Sequence, residues 1–142
     1  MVTESKGTTV VAGLIHKGPT VSYRYTTLLD ATYLSCDALT MKVREGGRVV
    51  KTSVLIATGV NKDGYRELLG MQVATSESVE SWTGFFQDLK ARGLGEVYLV
   101  TSDAHLGIQA AVGQVLPTAG WQRCRTHFAK NLSSKVSKRQ WT

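Results

Sequence analysis

Hydrophobic and polar residues alternate along this chain most clearly between residues 33 and 44. Alternation of this kind is typical of a β-strand, whose successive side chains point to opposite faces. Gly46 and Gly47 can supply the positive φ values of a tight hairpin, so residues 48–60 are predicted to form the returning strand. One face of the first strand would carry Tyr33, Ser35, Asp37, Leu39, Met41 and Val43.

The pattern changes from strand to helix after a third strand. A turn signal at 61–64 precedes that strand, which is expected at about 65–74. Ser76 or Ser78 can then cap a helix. The helix is predicted from apolar residues at helical spacing, and we expect their aromatic members to form core rather than a base-stacking platform: Val79, Trp82, Phe85, Phe86 and Leu89.

The remaining elements complete a mixed sheet. Residues 97–100 form a short apolar run, as expected of a strand buried on both faces. A helix follows and stops at Pro117, residues 121–127 are expected to form another strand, and a basic helix is predicted from Phe128 onward. The predicted class is α/β, with element order β-β-β-α-β-α-β and helices on the faces of the sheet.

The first 27 residues give a weaker pattern, in which residues 10–15 could form a strand that ends at Gly18 and Pro19. A chain of 142 residues fits a single domain. Its longest apolar runs are far too short for a membrane span, and its N-terminus lacks a signal-peptide pattern. Two cysteines cannot make a disulfide framework. A soluble, cytoplasmic domain is therefore expected.

The formal net charge of +6 is concentrated at the C-terminal end. Residues 1–119 carry equal numbers of acidic and basic side chains, whereas residues 120–142 carry basic ones alone. Such a segment is typical of a surface that binds nucleic acid, although a solvated tail would look the same. The candidate DNA-binding residues are Arg123, Arg125, Lys130, Lys135, Lys138 and Arg139.

Two aspartates are the leading candidates for chemistry. Asp37 shares a predicted strand face with apolar residues, where a carboxylate is costly unless it is paired or binds a metal. It could instead lie past the edge of the core, or pair with a lysine. Asp103 follows the buried strand, where open α/β sheets place ligand groups, but it could equally be a helix N-cap. If their strands are neighbours, the two carboxylates would converge, and a divalent cation would relieve their repulsion.

Three further residues have more ordinary alternatives. His105 could contact a phosphate, but capping the adjacent helix turn is the favoured interpretation. Cys124 and His127 form a Cys-x-x-His pair, which is two ligands short of a structural zinc site. Core packing of Cys124 and a local hydrogen bond of His127 would explain the pair without any chemistry.

Several collinear blocks of this sequence resemble the bacterial Mutator-type insertion-sequence transposases. The resemblance runs from about residue 28 to 132, which leaves an N-terminal segment at 1–27 and a basic tail at 133–142. The blocks are CDALTMKVR at 36–44, IATGVNKDGYRELLG at 56–70, residues 82–94, VTSDAHLG at 100–107 and WQRCRTH at 121–127.

The resemblance implies a ribonuclease H-like catalytic core with an Asp-Asp-Glu triad. Asp37 and Asp103 would be its two aspartates and its metal ligands, with His105, Cys124 and His127 in associated positions. The triad would hold two Mg²⁺ (or Mn²⁺) ions about 4 Å apart for DNA strand cleavage and transfer. The implied partner is DNA, both the ends of the element and its target, in the bacterial nucleoid, and self-association is left open.

This chain also departs from the family pattern. No carboxylate side chain follows Asp103, so the family's glutamate has no counterpart here, and the family's N-terminal DNA-binding region is also missing. We therefore expect a truncated core that is incomplete at the C-terminus, binds metal weakly or not at all, and does not cleave DNA alone. A non-catalytic nucleic-acid-binding or regulatory remnant, and an ordinary α/β domain, are the alternatives.

Overall fold

A computed structural model describes the backbone of residues 2–5, 8–11, 13–17, 20–24, 31–61 and 63–137, and side chains from residue 31 onward within those ranges. The strands are β1 (Val2–Ser5), β2 (Thr8–Val11), β3 (Gly13–Lys17), β4 (Thr20–Arg24), β5 (Ala31–Glu45), β6 (Arg48–Asn61), β7 (Arg66–Ala74), β8 (Leu99–Ser102) and β9 (Gly120–Arg123). The helices are α1 (Val79–Ala91), α2 (Leu106–Val115) and α3 (Arg125–Ser133).

Seven of these strands form one mixed sheet in the order β3-β4-β7-β6-β5-β8-β9, and β1 pairs with β2 alone. β5, β8 and β9 run parallel to one another, whereas the other pairings are antiparallel. The mixed α/β class predicted from the sequence is confirmed. Four strands precede β5, so the full element order is longer than the predicted one, and the apolar run at 10–15 is divided between β2 and β3.

The hairpin of β5 and β6 is the longest feature of the sheet. Its turn has φ values of 55° at Gly46 and 77° at Gly47, a conformation that L side chains rarely adopt. The register runs from Glu45 opposite Arg48 back to Ala31 opposite Asn61. The predicted hairpin is therefore confirmed, including the position of its turn.

Among the described residues, the main hydrophobic core cluster packs against one face of β5. From β5 it takes Leu34 and Cys36, which are 2% and 3% exposed, and these pack with residues of α1 and α2 in a single cluster. On the other face of β5, Tyr33 and Leu39 are 51% and 49% exposed. The expectation that the face carrying Asp37 is buried is therefore wrong, because both helices cover the opposite face.

Helix α1 supplies the largest side chains of the core, as its periodicity predicts. Its N-cap is Ser78, whose hydroxyl accepts from the backbone N–H of Ser81 while the Ser81 hydroxyl accepts from the N–H of Ser78. The side chains it buries are Trp82, Phe85, Phe86 and Leu89. Ring centroids of Trp82 and Phe86 lie 5.6 Å apart in a stacked arrangement.

The C-terminal elements differ in detail from the sequence prediction. β8 begins at Leu99, two residues later than expected, and β9 ends at Arg123. The expectation of a strand through His127 is wrong, because Cys124 turns the chain and donates its N–H to the carbonyl of Ser102. α3 then begins at Arg125 and buries none of its side chains. In the described part of the chain, no helix has the length and apolar character needed to cross a bilayer.

Candidate active site

The parallel pairing of β5 with β8 relates the two candidate aspartates. Ser35 lies opposite Thr101 in this register, and Asp37 and Asp103 each follow two residues later. The strand carrying the first aspartate is therefore the neighbour of the strand that leads to the second. This adjacency was predicted from the sequence, and the register places both residues at the same end of the strand pair.

Asp37 lies on the open face of the sheet. Its side chain is 47% exposed, so it pays little desolvation cost for its charge. One carboxylate oxygen, Oδ1, accepts from the N–H of Ala38 at 2.9 Å and lies 3.9 Å from Nε2 of His127. The nearby basic group is thus a histidine from α3, whereas the sequence had suggested a lysine as one alternative.

Asp103 lies in the turn between β8 and α2. Its Oδ1 accepts from the backbone N–H of His105 at 3.3 Å, while the N-cap of α2 is His105 itself. The carbonyl of Asp103 accepts from the hydroxyl of buried Ser102, which in turn accepts from Nε1 of Trp121 at 2.9 Å. Hydrogen bonds therefore hold the turn that carries Asp103, and the interpretation of Asp103 as the N-cap is wrong, because His105 occupies that position.

His105 has the capping role that the sequence favoured. Its Nδ1 accepts from the N–H of Gly107 at 3.1 Å and lies 3.6 Å from Oε1 of Glu77. In that tautomer the imidazole proton is on Nε2, so the separation from Glu77 is not a hydrogen bond. Glu77 instead accepts from Nε1 of Trp82 at 3.0 Å. The proximity of Glu77 to His105 escaped sequence reasoning, since the two are far apart in the chain.

The Cys-x-x-His pair does not form a closed metal site. Cys124 occupies the position before α3 without a side-chain cap, and His127 reaches toward Asp37. The other ring nitrogen of His127, Nδ1, is buried and has no hydrogen-bond partner among the described residues. In the ranges that the structure describes, no group of three or more histidine, cysteine or acidic side chains is arranged to hold a metal ion.

The second cysteine, Cys36, is an unreactive thiol. Cys36 is buried on the covered face of β5, next to Asp37 in the chain. Burial raises the pKa of the Cys36 thiol to about 12, with a smaller contribution from the negative charge of Asp37. Since the thiolate is the nucleophilic form, Cys36 takes no part in chemistry at neutral pH.

The predicted basic surface is exposed where the structure describes it. Arg125, Lys130 and Lys135 are exposed on and just after α3, whereas Lys138 and Arg139 lie outside the described residues. Arg123 differs from these, because its guanidinium lies 5.0 Å from the centre of the Phe128 ring. Its Nε is buried and finds no hydrogen-bond partner in the part of the chain that the structure describes. This arrangement orients Arg123 within the protein.

The open face also carries a cavity of about 320 Å³. Tyr33, Ser35 and Thr101 line it on β5 and β8, and Thr58 and Arg66 line it on β6 and β7. Ser35 and Thr101 are the paired residues that come two positions before the candidate aspartates. Hydroxyls and one guanidinium therefore line this cavity, together with the apolar side chains of Leu34 and Val60.

The carboxylates suit a hard cation in their donor chemistry. Within the described ranges, the Oδ2 oxygens of Asp37 and Asp103 accept no hydrogen bond, so each aspartate retains a free oxygen. Oxygen ligands from one or two carboxylates, completed by water and substrate phosphate, are what Mg²⁺ takes in nucleotide-processing sites. The two aspartates therefore fit the metal that the family resemblance implies.

Comparison with known proteins supplies the family. The model for the transposase family named Mutator matches residues 21–142. The chain is 59% identical over 116 residues to the transposase of insertion sequence IS1081 of Mycobacterium tuberculosis, covering 80% of this chain and 28% of the relative. It is 45% identical over 107 residues to the IS256 transposase in transposon Tn4001 of Staphylococcus aureus, covering 75% of this chain and 27% of that protein.

The chain thus spans less than a third of the length of these curated relatives. Among solved structures, part of the Drosophila P element transposase strand transfer complex is similar at 13% identity and a TM-score of 0.46, over 74% of this chain and 29% of that one. That likeness is too distant to assign a role to any residue. The family match covers most of the chain and rests on sequence, and the chain therefore belongs to the Mutator family of transposases.

Proposed function

We propose that this chain provides part of the catalytic core of an insertion-sequence transposase, with a ribonuclease H-like arrangement in which Asp37 and Asp103 bind the divalent metal. The observation that carries the proposal is the parallel register of β5 and β8, in which Asp37 and Asp103 each come two residues after the paired residues Ser35 and Thr101. Relatives named as transposases over 80% and 75% of this chain support the same function.

The residues around Asp37 define what this part of the site can do. Asp37 and Asp103 would hold Mg²⁺ or Mn²⁺ through their free oxygens, and such an ion supplies Lewis-acid stabilisation at a phosphodiester and activation of the attacking oxygen. The Ala38 N–H binds Oδ1 of Asp37, and within the described ranges the other oxygen accepts no hydrogen bond. His127 places a basic side chain beside the same carboxylate. The hydroxyls of Ser35 and Thr101 lie on the surface where a DNA strand would approach.

DNA is the substrate and partner in this proposal, and α3 provides the surface for it. Arg125, Lys130 and Lys135 are exposed cations on a segment that buries no side chain, and no carboxylate follows Asp103 to neutralise them. Phosphate contacts of this kind are independent of sequence and weaken with salt. If all six basic residues of the segment met phosphates, the slope of log affinity against log salt would be about −5.

Titration with Mn²⁺ tests the metal site directly. Paramagnetic Mn²⁺ should broaden the amide signals of residues close to Asp37 and Asp103, with a dissociation constant on the order of millimolar because two carboxylates leave most ligand positions to water. Asp37→Asn and Asp103→Asn should each abolish the selective broadening. Asp63→Asn, which changes an exposed carboxylate in the turn before β7, is the matched control and should leave it intact.

Two results would overturn the proposal. Broadening that survives both Asp37→Asn and Asp103→Asn would place the metal elsewhere. Broadening centred on only one of the two aspartates, and unaffected by replacing the other, would show that they do not share an ion.

A further inference from the structure

The hairpin of β5 and β6 extends beyond the rest of the sheet. β7 pairs with β6 only as far as Ser53, and β8 pairs with β5 only at 33–35. Within the described ranges, residues 41–52 therefore form a two-stranded arm with no further strand on either side. The arm contains five cross-strand pairs, which corresponds to a length of about 17 Å.

The two faces of this arm carry different chemistry. Lys42 lies directly opposite Lys51, and Arg44 is the next residue on the same face. The other face carries Met41 and Val43, with Glu45 opposite Arg48 at the tip. One face thus carries the three cations together with Val49 opposite Arg44, while the other carries Met41, Val43 and Val50 and ends in a pair of opposite charges.

The basic face has no counter-charge within the described part of the chain. Lys42, Arg44 and Lys51 are all exposed, and none is in an ion pair. Like charges directly opposite each other in an antiparallel pair reduce the stability of the sheet. Two lysines at one register position are therefore unfavourable for folding, and a polyanion on this face would offset the repulsion.

We propose that the basic face of the arm, formed by Lys42, Arg44 and Lys51, binds the phosphate backbone of double-stranded DNA. The inference rests on the proposed function, because DNA is the substrate there, and adds a second contact surface that is separate from α3. A two-stranded ribbon is narrow enough to enter the major groove, which is about 12 Å wide. Lysine and arginine on such a ribbon meet phosphates without reading sequence.

Salt-dependent binding of a fluorescently labelled, mixed-sequence duplex to the full chain measures this contact. In the triple variant Lys42→Gln, Arg44→Gln and Lys51→Gln, the slope of log affinity against log salt should become shallower by about 2.7, since each lost phosphate contact removes about 0.9. Lys51→Gln alone should make it shallower by about 0.9. Arg48→Gln removes the same charge from the other face of the same arm and should leave the slope unchanged.

Four outcomes would overturn the inference. The first is a triple variant that binds with the wild-type slope, and the second is a wild-type chain that does not bind the duplex. The third is a triple variant that binds DNA as wild type does but has a different molar mass in light scattering. That result would make the arm a contact between protein chains. If the lysines served only to prevent edge-to-edge strand pairing, Lys51→Glu would bind DNA as well as wild type, which would also overturn it.

Separate measurements distinguish this inference from the proposed function. The arm variants should leave the Mn²⁺-induced broadening around Asp37 and Asp103 as in wild type, because the cations lie beyond the residues paired with β8. If the inference about the arm is wrong, the arm variants will have the salt slope of wild type and an intact metal response. Failure of the proposed function would appear as a metal response that does not depend on either aspartate.

Discussion

The two faces of β5 are built from similar side chains but have opposite surroundings. Leu34 and Cys36 are buried under α1 and α2, whereas Leu39 and Met41 on the other face are about half exposed. The same alternation that buries one set exposes the other. Asp37 belongs to the exposed set, so its charge remains solvated and its free oxygen accessible. Apolar neighbours on a strand therefore do not by themselves place a carboxylate in the core.

The largest expected effect on stability comes from comparing a leucine on the covered face of β5 with a leucine on its open face. Leu34→Ala should lower the free energy of unfolding by about 2–5 kcal/mol, because it removes a buried side chain and leaves a cavity. Leu39→Ala, at an exposed position of the same strand, should change it by less than about 0.5 kcal/mol. Urea denaturation of both variants measures the difference. Equal losses would show that the open face is covered in solution.

A glycine on the covered face should be intolerant of even one added carbon. A Cβ on Gly59 would lie 2.7 Å from Cβ of Ala31 and 2.8 Å from Cδ1 of Leu69. Gly59→Ala should therefore cost about 1–3 kcal/mol of unfolding free energy through overpacking. Gly84→Ala, on the exposed side of α1 with no atom within 4 Å, should instead stabilise the chain by about 0.5–1 kcal/mol. A neutral Gly59→Ala would show that the core has room beside this strand.

The pH dependence of stability should also show that Cys36 is buried on the covered face of β5. Its pKa is about 12 in the folded chain against 9.0 normally, so the unfolded chain loses the thiol proton first as pH rises. The resulting stability is fully present below pH 9 and is lost between pH 9 and about 12. In that range wild type should lose up to about 1.4 kcal/mol per pH unit more than Cys36→Ala.

The matched control for this titration is Cys124→Ala, which leaves Cys36 in place and should keep the steep wild-type fall. Unfolding free energies from urea denaturation at a series of alkaline pH values give both slopes. Parallel curves for wild type and Cys36→Ala would mean that the thiol is not shielded by the helices.

The smallest expected effect concerns the arm, where neither face is covered by another element. Lys51→Glu replaces a like-charge pair with an opposite-charge pair across from Lys42 and should stabilise the chain by about 0.2–1 kcal/mol. Arg48→Glu does the reverse opposite Glu45 and should destabilise it by a similar amount. Thermal unfolding at low salt is the measurement, and both shifts should shrink as salt is added. Shifts of the same sign would contradict the cross-strand pairing.

Local sequence was sufficient for the elements whose signals are short-range. Gly46 and Gly47 marked the hairpin turn, and the spacing of Trp82, Phe86 and Leu89 marked the buried face of α1. The end of β9 was harder to predict from the sequence. The chain turns at Cys124 through a hydrogen bond to Ser102, and no local pattern contains that bond. Asp37 and Asp103 were identifiable as candidate site residues from their positions in the chain. Their catalytic role stays a prediction.

The sequence by itself determined that β5 has two faces, where the hairpin turns and which side of α1 is apolar, because the periods of strand and helix are local properties of the chain. Only the tertiary structure decided which face of β5 the helices cover and that His127 lies beside Asp37. Those outcomes depend on contacts between residues far apart in the chain. Alternation is symmetric between the faces, so which one is covered depends on where the helices return to the sheet.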